Sequence, residues 1–106
     1  MTAREFEKIS AERIEACFAT MGIKAEEYAK GDRLHNFKVA AKVQGCTPIK
    51  ALGGMMCKHT VSIYDLINDA EIGKDIPLEM WDEKIGDSIN YLLLLNALVR
   101  EGANNG

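Results

Sequence analysis

Residues 78–100, LEMWDEKIGDSINYLLLLNALVR, constrain the fold more than any other stretch. Their apolar residues recur at helical spacing, so the stretch reads as one long helix. At about 100° per residue, Leu78, Trp81, Ile85, Ile89, Leu92, Leu93 and Asn96 share one broad sector, and all but Asn96 are apolar. Glu79, Glu83, Asp87 and Asn90 form a line of oxygens on the opposite side, and one turn on that line meets Leu94, with Tyr91 beside it. The acidic stripe therefore begins in solvent and runs into a region that calls for burial. A carboxylate drawn into apolar surroundings is costly unless it is paired or bound to a metal. Glu83 and Asp87 lie about one turn apart, close enough to share one cation. A solvated face that happens to be acidic is the alternative. The apolar run over residues 91–95 asks for neighbours on several sides, a second subunit among them.

The remaining chain reads as helices arranged to cover this one. Its 106 residues suffice for one domain, and a domain this small gains from oligomerisation. Thr2-Ala3-Arg4-Glu5 fits a capping box, so a first helix starts there. Phe6, Ile14, Cys17, Phe18, Met21, Ala25 and Tyr28 give it an apolar face, and Gly22 weakens or bends it. Gly31 suits its C-terminal cap, and Asp32 suits the N-cap of a short second helix over residues 33–44. Leu34, Phe37 and Ala41 are the core face of that helix, and Gly45 ends it. Thr47-Pro48 opens a third helix, whose apolar face is Ile49, Leu52, Met56, Ile63, Leu66, Ile67 and Ala70. Gly53-Gly54 either breaks that helix, lets another backbone approach closely, or is a tolerated flexible turn. Residues 72–76 form a loop, Pro77 opens the long fourth helix, and residues 102–106 form a flexible C-terminal tail. No strand alternation appears. The expectation is an all-α fold: a single helical domain over residues 1–101.

Charge and cysteine usage narrow the functional classes. The net charge is −3, from 13 basic and 16 acidic residues without a Lys/Arg cluster, which argues against nucleic acid as the main partner. Cys17, Cys46 and Cys57 lack CxxC spacing and read as reduced thiols of a cytoplasmic protein, not a disulfide framework or zinc site. No apolar run reaches the roughly 18 residues a membrane span needs, and the N-terminus MTAREFEKIS is too charged for a signal peptide.

Two stretches carry candidate chemistry. On the third helix, Lys58 has a stem long enough to bring its ammonium toward an anion held by a neighbouring helix; a plain surface lysine is the alternative. His59 points into the middle of the apolar face, where a core histidine with a satisfied hydrogen bond is the simpler reading. The stretch GDRLHNFK gathers Asp32, Arg33, His35, Asn36 and Lys38 around a helix start, where free N–H groups favour anions. Arg33 and Lys38 suit phosphate, and His35 and Asn36 suit a base or sugar; an ordinary inter-helix turn is the alternative. Neither GxxxxGK[ST], GxGxxG nor HExxH is present.

Glu83-Lys84-Ile85-Gly86-Asp87, followed by Ser88-Ile89-Asn90-Tyr91-Leu92, resembles the second acidic motif of the all-α nucleoside-triphosphate pyrophosphatase superfamily, the MazG-like proteins. That motif reads roughly EExxD followed by an apolar, often Tyr-containing, run. Glu83 and Asp87 match its first Glu and its Asp, and Lys84 stands at its second Glu. Tyr28-Ala29-Lys30-Gly31-Asp32, Asn36-Phe37, Thr47-Pro48, Met55-Met56, Lys58 and the Asp87-to-Tyr91 spacing resemble small phage and prophage proteins that look like members of the same superfamily. The resemblance covers residues 26–95. It lacks the family's earlier ExxE at the family's spacing; Glu12-Arg13-Ile14-Glu15 has the form but lies too early.

The resemblance implies a four-helix, MazG-like arrangement that forms a homodimer or homotetramer. It also implies Mg²⁺-dependent cleavage of a nucleoside triphosphate to monophosphate and pyrophosphate. Glu83 and Asp87 would then be the catalytic metal ligands, with Glu27 or Asp32 completing the set. Lys58 and Lys38 would contact phosphate, and Asn90, His35 or Asn36 the rest of the nucleotide. The competing expectation is a non-enzymatic helical module that binds a protein partner or a second copy of itself through the face at residues 92–95.

Overall fold

The computed structural model describes the backbone of residues 1–28 and 31–105 and the side chains of residues 1–22 and 31–102. Four helices follow in order: α1 (Ala3–Tyr28), α2 (His35–Gln44), α3 (Pro48–Glu71) and α4 (Leu78–Asn105). No strand occurs among the described residues, so the all-α expectation holds. Nor is any helix among them long and apolar enough to cross a membrane.

The punctuation follows local chemistry. The Thr2 amide donates to Glu5 Oε2 at 2.8 Å and the Glu5 amide to Thr2 Oγ1 at 3.1 Å, a reciprocal capping box that starts α1. Thr47 Oγ1 accepts from the Lys50 amide at 3.2 Å, with Pro48 in the first turn of α3. Gly45, at φ 67°, closes α2 in the left-handed region and donates its N–H to the Ala41 carbonyl. Asp32 is not the cap of α2, which starts at His35. Its Oδ1 accepts from the Leu34 amide at 3.0 Å, forming a turn that leads into the helix.

Two glycine sites stay inside their helices, and one boundary departs from the sequence reading. α1 continues through Gly22 and α3 through Gly53-Gly54. A Cβ built at any of these glycines would meet nothing within 4 Å, so no backbone approaches there among the described residues. α4 likewise passes Gly102 and reaches Asn105, taking in most of the stretch read as a tail. A glycine inside a helix costs about 1 kcal/mol, which flanking turns of good helix formers absorb.

The core is one-sided. Leu34 and Phe37, Leu52 of α3 and Leu98 of α4 form its buried cluster, with Met55, Met56, Tyr91, Leu94, Leu95 and Ala97 packed against it. Among the described residues, the backbone of α1 approaches α4 alone. At Gly86 the side chains of Arg13 and Cys17 of α1 come to 3.6 and 4.0 Å of where a Cβ would stand, an ordinary contact distance. There the Cys17 thiol donates to the Gly86 carbonyl at 3.8 Å, and Arg13 pairs with Asp82 at 3.3 Å. Of the five described side chains on the expected apolar face of α1, Phe6 (60%), Ile14 and Phe18 (58%) are exposed and Cys17 is buried; those of Ala25 and Tyr28 lie outside the described residues. The radius of gyration is 16.1 Å, against about 13 Å for a compact globule of this length.

Candidate functional site

The line of oxygens along α4 behaves as its spacing implies. Glu79 and Glu83 are exposed, Asp87 is half-buried, Asn90 is buried, and Leu94 packs on the core. Where the line goes under, it forms the wall of a cleft of about 370 Å³. Residues distant in sequence meet in this cleft: Arg33 and Asn36 at the start of α2, Lys58 and His59 on α3, and Asp87, Asn90 and Tyr91 on α4. Met21 of α1 completes its rim. Next to it along α4 a smaller cavity of about 220 Å³ is lined by Glu83, Arg13 and Cys17, and shares Asp87 and Asn90 with the cleft.

The cleft has a graded polarity. Lys58 is exposed at its edge and Arg33 half-buried, while Asn90 lies deepest at 8% exposure. His59 Nδ1 lies 3.7 Å from Asp87 Oδ2, close enough for an ion pair whenever the imidazole is protonated. The His59 ring sits 4.7 Å from the Tyr91 ring at a tilt of 34°, and Phe37 meets the same Tyr91 edge-on at 6.3 Å. Tyr91 thus links the apolar core to the polar cleft. The side-chain oxygens of Ser88 and Asn90 are buried and find no hydrogen-bond partner among the described residues.

Five of the residues singled out from the sequence, Arg33, Asn36, Lys58, Asp87 and Asn90, are brought together here. Glu83 lies one turn from Asp87 and faces the smaller cavity. Lys38 and Asp32 are engaged elsewhere: the Lys38 ammonium lies 2.6 Å from Asp32 Oδ2 and 2.6 Å from Glu101 Oε1, tying α2 to the end of α4. The Lys38 hydrogen bond, followed by that from the Leu34 amide, holds the Asp32 carboxyl below its ordinary value of 3.8. Hydrogen bonds to Asp32 and then Glu101 hold the Lys38 ammonium above its ordinary 10.5. His35 is exposed at the start of α2 and does not line the cleft. The Glu27 side chain lies outside the described residues.

The sequence reading missed His59, which it placed among satisfied core residues. Among the described residues it finds no hydrogen bond; its ring is near both the Tyr91 ring and the Asp87 carboxylate. A signal existed. A histidine in the middle of an apolar face needs a polar neighbour, and Asp87 is where the acidic line of α4 enters the core.

Compared with protein-family models, curated proteins and solved structures, the chain finds no match. Among the described residues, no three His, Cys, Asp or Glu side chains gather as a metal-ligating group. Glu83 and Asp87, one turn apart and sharing a cavity, are a pair of hard oxygen donors. Mg²⁺ is commonly held by one or two carboxylates, with substrate phosphates and water filling the other positions. The pair fits that pattern.

Proposed function

We propose that this protein binds a nucleoside triphosphate in the cleft between α2, α3 and α4 and releases pyrophosphate from it in a Mg²⁺-dependent reaction. The observation that carries the reading is the meeting of Arg33, Asn36, Lys58, Asp87 and Asn90, drawn from three parts of the chain, around one cleft. Arg33 offers a planar fork of donors to phosphate oxygens and Lys58 a point charge at the rim. The Tyr91 and His59 rings give the cleft an aromatic wall against which a flat base packs. Glu83 and Asp87 would hold Mg²⁺, which when bound polarises phosphoryl oxygens and offsets their charge. The resemblance of Glu83-to-Leu92 to the MazG-like acidic motif supports the same reading. Pyrophosphate release, measured with each NTP and dNTP in Mg²⁺, tests it. Release that Asp87→Asn removes supports the reading, and no release with any of them rejects the enzymatic part.

A second reading, a helical module that associates with a second copy of itself, is favoured by a different feature. Leu78, Ile85, Leu92 and Val99 recur every seven residues along α4, and all four are exposed. A coiled-coil seam carries apolar residues at two positions of each heptad, and this repeat supplies one of them. Beside it, Ile9 and Ile14 of α1 and Ile89 line an open groove of about 680 Å³. The interface residue is then Leu92, 55% exposed, and not Leu94, which packs on the core. Sedimentation analysis of Leu92→Asp discriminates: a self-associating chain loses its oligomer, whereas a monomer is unaffected.

A further inference from the structure

We propose that Asn90 sets the specificity of the cleft by accepting a hydrogen bond from an N–H or O–H of the ligand. The ligand is then a phosphorylated compound whose inner end carries a donor, not a bare polyphosphate. The inference rests on the nucleotide reading above and narrows it.

Asn90 is 8% exposed, and its Oδ1 is buried with no partner among the described residues. Nearly all buried polar side-chain atoms in folded proteins are hydrogen-bonded, and an unpaired one is destabilising. Packing does not call for an amide here: α4 carries Leu92 to Leu95 just beyond, and an apolar residue at this depth would be more stable. An arriving group accounts for it. Asn90 lines both the cleft and the smaller cavity, so it stands where the two spaces meet along α4. Lys58 and Arg33, nearer solvent, supply the cationic end.

The two ends recognise opposite chemistry. Arg and Lys donate to phosphate oxygens. An amide oxygen only accepts, and it repels a phosphate oxygen carrying no hydrogen. Recognition therefore has a direction, with the phosphates toward Lys58 and Arg33 and a donor of the base or sugar toward Asn90. A site built to hydrogen-bond a polar group discriminates strongly against compounds lacking it.

Calorimetric titration with Mg²⁺ present tests this with two kinds of probe: each NTP and dNTP in turn, and inorganic tripolyphosphate. The native chain is expected to bind at least one nucleotide at least about tenfold tighter than tripolyphosphate. Asn90→Leu, close in size, is expected to remove that preference and leave tripolyphosphate affinity within about twofold. Asn90→Ala, which removes the amide without adding bulk, carries the same expectation should the Leu side chain disturb folding. A nucleotide preference that survives both substitutions overturns the role of Asn90 and leaves the nucleotide reading standing. Equal loss for both probes makes Asn90 structural and likewise overturns the inference. A native chain that binds tripolyphosphate as tightly as any nucleotide overturns it too. A native chain that binds neither probe rejects the nucleotide reading itself.

Discussion

The two halves of α4 have unlike surroundings. Its C-terminal half, with Tyr91, Leu94, Leu95 and Leu98, packs into the core made with α2 and α3. Its N-terminal half meets α1, through Cys17 and Arg13 at Gly86, and leaves Leu78 and Ile85 exposed. The C-terminal half buries one face in the core and fixes the fold, with Leu92 and Val99 exposed on its other face, whereas the N-terminal half adds no residue to that core. Asp87 and Asn90 sit at the changeover, lining both the cleft and the smaller cavity. A functional site fits at such a boundary, because polar groups there are held by a packed scaffold yet remain within reach of a ligand.

The largest expected effect breaks the packed half. Leu52 is fully buried, so Leu52→Ala should lower the unfolding free energy by about 2–5 kcal/mol in a urea titration. Phe18→Ala on the open face of α1 should stay within about 0.5 kcal/mol. Equal effects would mean that a second copy or another partner covers α1.

A smaller effect sharpens the same contrast from α3. Gly53 and Gly54 lie inside a helix with open space where a Cβ would be. Gly54→Ala should therefore raise stability by about 0.5–1 kcal/mol, because alanine loses less backbone freedom on folding. A loss of stability instead would place another chain against that face.

The smallest effect concerns the tie between α2 and α4. Asp32 is held below 3.8, so its contribution is present above that pH and disappears as pH falls through its folded-state value. Lys38 is held above 10.5, so its contribution is complete below that pH and disappears as pH rises through its folded-state value. Lys38→Met should cost a small, constant amount of stability from about pH 4 to about pH 10, and the cost should shrink as pH falls through the folded-state value of Asp32 or rises through that of Lys38. Thermal melts across that range check it; a difference that persists at pH 2 would assign the effect to the lysine stem.

How much was legible follows from which physics is local. Caps and helix ends at Thr2, Gly45 and Thr47 were readable because one or two side chains decide them. The core face of α2, with Leu34, Phe37 and Ala41 all buried, was readable from spacing. The descent of the acidic line into the core was readable too, because periodicity alone puts Asn90 one turn from Leu94. What remained hidden depends on which neighbour arrives. Leu78, Ile85 and Leu92 share an apolar sector, but nothing in that pattern says it stays open. The same holds for Phe6 and Phe18 on α1. The pairing of His59 with Asp87, and the engagement of Lys38 by Asp32 and Glu101, are contacts between helices that spacing within one helix does not encode.

The most direct measurement is a thermal-shift panel of every NTP and dNTP, with and without Mg²⁺, on the native chain and on Asp87→Asn. A ligand bound only by the folded state raises the melting temperature by mass action. The account predicts a Mg²⁺-dependent rise for at least one nucleotide that Asp87→Asn removes. No rise with any nucleotide at millimolar concentration would contradict it and leave self-association through α4 as the better account of the molecule.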